Sequence, residues 1–109
     1  MTNTIARIES LTAKFIAARD ASRSAMRAAN AALSGLYDRE ASMEEYAEAR
    51  VAAGLPTAAE EAAIHDEMDR LRSALAAALR ASARSVPTVR HVGASDVALV
   101  EAWIATRAS

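Results

Sequence analysis

The chain has no cysteine, which excludes a disulfide scaffold, a thiolate metal site and a cysteine nucleophile together. Three glycines and two prolines are too few for a turn-dense β-sandwich or for a disordered linker. Aromatic residues make up 4% of the chain, with a single Trp and a single Phe, so there is little to stack against nucleobases. No stretch approaches the ~18 consecutive apolar residues of a membrane span, and no membrane partner is expected. The first residues, Met-Thr-Asn-Thr-Ile-Ala-Arg-Ile-Glu, lack the apolar segment of a secretory signal. The Arg, Ala and Ser that follow have the flavour of an organellar transit peptide, but Glu9 and Asp20 interrupt it, so a cytoplasmic location is expected.

What is present is alanine. Thirty of the 109 residues are Ala, and the 52% hydrophobic fraction reduces to 27 larger apolar side chains once they are set aside. That suits one small helical domain spanning residues 1–109. Twelve of the thirteen basic residues are Arg, and with so much Ala this reads as coding bias rather than function. Such compositions are common among bacterial accessory and phage-encoded proteins.

Cap and breaker residues divide the chain into four helices. The first is expected over about residues 4–33, with Asn3 or Thr4 as N-cap and Gly35 just past its end. Ser42 with Glu45 three residues on forms a capping box that opens a second helix over 42–53, closed by Gly54 and Leu55-Pro56. Thr57 with Glu60 opens a third over 58–84, which Pro87 stops. Ser95 caps a fourth over 96–107. The segment 86–93 between the last two is compatible with strand, turn or short helix.

At 1.5 Å per residue the first helix is ~45 Å long and the third ~40 Å, too long for a sphere of ~13 Å radius of gyration. The expected fold is therefore all-α, an elongated antiparallel helical hairpin covered by the two shorter helices. The best seam sets residues whose numbers total about 90 opposite each other, so that Leu11 meets Leu79, Phe15 meets Leu75, Ser22 meets Met68 and Met26 meets Ile64. An alanine-lined hairpin buries little apolar surface, and self-association, with a dimer as the first expectation, would supply the cover.

Charge is strongly segregated. Residues 1–37 carry a net +3, residues 38–69 a net −8, and residues 70–109 a net +4. Arg19, Arg23 and Arg27 recur every four residues as a basic stripe, and like charges at that spacing repel. Neutralisation by Glu60 or Glu67, or by Glu44, Glu45 and Glu48, is the expected relief. The alternative is a phosphate-binding stripe, joined by Arg80, Arg84 and Arg90.

Glu61, His65 and Asp69 share one helix face, a spacing that could hold a divalent metal. The pattern is Glu-x-x-x-His rather than the Glu-x-x-His of di-iron bundles, and it occurs once, so a solvated polar face is expected, with no metal and no cofactor. His91 is isolated. There is no Gly-rich phosphate loop or nucleophile elbow, and no catalytic residue is assigned.

Val97, Val100, Trp103 and Ile104 form an apolar stripe on the fourth helix. It can dock on the chain's own hairpin or serve as a partner-binding face, Trp being enriched at the centres of interfaces. Residues Gly93-Ala94-Ser95-Asp96-Val97-Ala98-Leu99 resemble the turn of a helix-turn-helix. The resemblance covers seven residues within 87–107, and Asp96 and Glu101 would face phosphate with the wrong sign. The sequence thus points to a non-catalytic interaction module that self-associates and binds a larger protein, as an adaptor, assembly component or inhibitor does. The alternative is a nucleic-acid binder.

Overall fold

The computed structural model describes residues 2–82 and 95–108, the side chains of Thr2, Asn3 and Ala108 excepted. The fold is all-α. Four helices follow one another, α1 (Thr2–Tyr37), α2 (Met43–Ala52), α3 (Ala58–Ala81) and α4 (Asp96–Ala108), and no strand occurs among the described residues. The segment 86–93, Arg84, Arg90, His91 and the Gly93-Ala94 half of the helix-turn-helix resemblance lie outside the described residues.

The capping residues do what their side chains dictate. Glu45 N–H donates to Ser42 Oγ at 3.2 Å while Ser42 N–H donates back to the Glu45 carboxylate at 3.2 Å. Thr57 and Glu60 repeat the exchange at 3.1 and 3.0 Å, and this pair holds the exposed Glu60 carboxyl below its ordinary pKa. Gly54, at φ +69°, closes α2: Gly54 N–H reaches Val51 O and Leu55 N–H reaches Arg50 O, the paired bonds of a Schellman motif. Ser95 Oγ accepts from Ala98 N–H at 3.0 Å at the start of α4.

Two boundaries, both of α1, differ from expectation. α1 begins at Thr2, so neither Asn3 nor Thr4 is its cap; both lie within helical backbone. It also runs through Gly35 to Tyr37. A glycine in helix costs ~1 kcal/mol relative to Ala, and contacts around it offset that. Leu33 is fully buried, the Tyr37 ring lies 5.9 Å from that of Tyr46, and the Tyr46 hydroxyl donates to Leu36 O, a last-turn carbonyl that otherwise accepts only a 3.4 Å bond from Arg39 N–H. α3 is described as far as Ala81, with Ser82 N–H shared between Ala78 O and Leu79 O in a tightened turn; the expected end at 84 lies outside the described residues.

Contacts gather into two bodies, residues 1–17 with 68–109 and residues 18–67. The first holds most of the core: Ile8, Phe15, Leu71, Leu75, Ala76, Leu79, Leu99, Val100 and Trp103 are all buried. Its α1 and α3 segments run antiparallel, with the Arg72 guanidinium 5.6 Å above the Phe15 ring. That register lies three residues from the expected pairing of Phe15 with Leu75, less than one helical turn. α4 is held at three levels. Arg80 pairs with Asp96 at 2.6 Å; the Trp103 indole N–H donates to Thr12 Oγ1 at 2.9 Å; and Arg107 pairs with Glu9 while lying over the Trp103 ring. Thr12 in turn donates its hydroxyl proton to Ile8 O at 2.6 Å, so both polar groups are satisfied inside the core.

The second body is built differently. Among the described residues its only buried ones are Ser22, Ala29 and Leu33, and α2 contributes none. Polar contacts hold it instead.

Thr12→Val keeps the shape but removes the acceptor for a buried indole N–H. It should lower stability by about 1–3 kcal/mol, and Trp103→Phe made in the Thr12→Val background should cost less than in the wild type. Denaturant unfolding of the four proteins of this double-mutant cycle measures both.

Candidate functional site

In the body formed by residues 18–67, the side chains with chemistry form a chain of contacts. Ser22 on α1 hydrogen-bonds His65 Nδ1 on α3 at 2.6 Å. His65 Nε2 lies 3.4 Å from Glu61 Oε1, one turn earlier on α3. The other Glu61 oxygen accepts from Arg50 of α2 at 2.5 Å, and Arg50 also donates to Pro56 O at 3.3 Å. One relay thus ties α1, α2, the 53–57 connection and α3 together.

The Glu61 carboxyl is largely covered, and burial raises its pKa. The hydrogen bonds from Arg50 and His65, together with their charges, more than offset this, leaving it below the ordinary 4.5. Serine, histidine and carboxylate in line have the outline of a nucleophilic triad. Ser22, however, is 3% exposed and sits inside a continuous helix, where backbone amides are engaged in helical hydrogen bonds and none is turned toward an oxyanion. The relay links α2 to α1 and α3.

The metal trio is divided: Glu61 and His65 belong to the relay, whereas Asp69 pairs with Arg72 at 2.9 Å. No group of three or more His, Asp or Glu is placed to hold a metal among the described residues. On α4, Val100 and Trp103 lie in the core of the first body, Ile104 is half-buried and Val97 is exposed. The apolar stripe there serves the chain's own packing at its two central residues.

Two of the three arginines of the stripe lack the expected ion pair among the described residues. Arg19 is mostly covered, with Asp20 at 3.9 Å. Arg23 and Arg27 are exposed and form no ion pair with a described residue. Of the acids expected to neutralise the stripe, Glu45 is taken by Arg39 and by the cap at Ser42, and Glu60 by the cap at Thr57. Glu44 and Glu48 point to solvent on α2 and are likewise unpaired among the described residues.

The α2 face with Met43, Tyr46 and Ala47, expected to cover the hairpin, buries none of its residues. Met43, Ala47 and Val51, spaced by four, share it; Met43 is 82% and Val51 77% exposed. With Tyr46, Arg50, Leu55, Thr57 and Ala58 they line an apolar hollow of about 180 Å³. Glu44 and Glu48 border the same face one residue further round. The signal was the repeat Met43-x-x-x-Ala47-x-x-x-Val51, which an amphipathic reading assigns to the core.

Glu61→Gln should be less stable than the wild type at neutral pH. A carboxyl with a lowered folded-state pKa stabilises the fold above its unfolded value, and this is lost as pH falls. The gap between the two proteins should therefore close as pH drops below about 4.5. Arg50→Met should lower stability by about 1–3 kcal/mol at neutral pH. Urea titrations across pH, read by circular dichroism, report both. No family model, characterised protein or solved structure matches the chain.

Proposed function

We propose that this chain is a small non-catalytic helical interaction module, acting as an adaptor, assembly component or inhibitor by occupying a protein surface. The observation that carries the reading is the outer face of α2, where Met43 and Val51 stand 82% and 77% exposed over an apolar hollow. An isolated exposed apolar residue is ordinary, but a contiguous apolar face bordered by charge on a helix with no buried residue is the composition of a binding surface. The relay from Ser22 to Arg50 supports the same reading, because it holds that helix in a fixed place and a prearranged surface binds at lower entropic cost.

Nucleic-acid binding is the second reading, and the exposed, unpaired Arg23 and Arg27 favour it. Two arginines contribute a salt dependence of slope only about −2 for a duplex. Arg80 is already paired with Asp96, and Glu44 and Glu48 lie in the same body as the stripe.

The immobilised chain should retain a defined protein from a lysate of its source cells, and Met43→Arg/Val51→Arg should abolish retention. Val97→Arg, an exposed apolar site elsewhere, should not. Equal retention by wild type and the α2 double variant would overturn the reading, and steeply salt-dependent retention on DNA or RNA would replace it with the second. Both α2 positions face solvent, so the variants should keep native helicity.

A further inference from the structure

We infer that the occupant of the α2 face is the flank of α1 on a second copy of this chain, a reading that rests on α2 being an interaction surface. The body containing residues 18–67 has one large apolar side chain fully buried, Leu33, while Met26, Tyr37, Met43 and Val51 are exposed within it. Fifty residues with so little buried lack cover that another surface must supply.

The two halves of the required contact are both present. On α1, Met26 is exposed beside the unpaired Arg23 and Arg27. On α2, the apolar hollow lies beside the unpaired Glu44 and Glu48. A cavity of ~150 Å³ takes up benzene, so the hollow of about 180 Å³ has room for the Met26 thioether. Methionine is also the side chain best able to adapt to an irregular socket.

Register and hand agree as well. At 100° per residue, Arg23 and Arg27 lie to one rotational side of Met26, and Glu44 and Glu48 lie to the same rotational side of the Met43–Ala47–Val51 face. Helices meeting antiparallel bring equal rotational sides together, whereas parallel helices oppose them. An antiparallel crossing therefore sets Arg23 opposite Glu48 and Arg27 opposite Glu44, and Met26 then falls between Met43 and Tyr46, over the hollow. Each copy carries both halves, so every copy can both offer the α1 flank and receive one on α2.

Sedimentation velocity over micromolar to millimolar protein tests this with reversed charges. The wild type should self-associate, more weakly as salt rises. Arg23→Glu/Arg27→Glu and Glu44→Arg/Glu48→Arg should each raise the dissociation constant by roughly 100-fold, since each creates like-charge pairs. Mixing the two variants should restore association, because both contacts are again of opposite sign; restoration also shows that both are folded. Met26→Ser should weaken association with the charges intact.

A wild type that stays monomeric at every concentration overturns the proposal, as does association that the single reversals leave unchanged or that mixing fails to restore. None of these outcomes bears on whether Met43→Arg/Val51→Arg loses a different protein partner, so the inference can fail while the interaction reading stands.

Discussion

A buried leucine or phenylalanine stabilises a fold by ~1.5–3 kcal/mol and an alanine by far less. A chain with 27 large apolar residues and 30 alanines therefore cannot be well cored everywhere. The large residues are concentrated: Ile8, Phe15, Leu71, Leu75, Leu79, Leu99, Val100 and Trp103 are buried in one body, and Leu33 alone is fully buried in the other. Nearly every other property of the molecule follows from that uneven distribution.

Where apolar burial is scarce, directional contacts take over. The Ser22–His65–Glu61–Arg50 relay joins three helices through side chains that are mostly part-buried, so their contacts are strengthened by reduced solvent without the full cost of burying a charge. Such contacts specify geometry more than they add stability. α2, which buries no residue of its own, is held by them while its Met43, Ala47 and Val51 face is exposed. In the better-cored body polar contacts accompany apolar burial, and Thr12, which donates to Ile8 O, accepts from the Trp103 indole inside the core.

The helix ends were legible because caps are local: Ser42 with Glu45, Thr57 with Glu60, Gly54 and Ser95 each act within four residues of themselves. Gly35 misled because the contacts that carry α1 past it, Tyr37 on Tyr46 and the Tyr46 hydroxyl on Leu36 O, come from another helix. The long-helix register was legible to within one turn, since a heptad-like apolar pattern fixes which faces meet better than it fixes the offset along them. The relay was hidden by that remaining offset, which set Ser22 against Met68 rather than His65. The α4 stripe announced an apolar face without saying what covers it, and its two central residues are covered by the chain itself. The fate of the Arg stripe was legible only in part: the caps at Ser42 and Thr57 engage Glu45 and Glu60, while Glu44 and Glu48 stay exposed and unpaired among the described residues.

The unequal cores have a kinetic counterpart. Amide protons exchange with solvent through whichever opening is cheapest, and openings follow cooperative units rather than helix boundaries. α1 and α3 each cross from one body to the other near Ala17 and Met68, so a single continuous helix contains one stretch braced by Phe15, Leu71 and Leu75 and another braced chiefly by Ser22 and His65. The second stretch therefore has fewer apolar contacts to break on opening than the first, and its amides are the ones expected to exchange sooner.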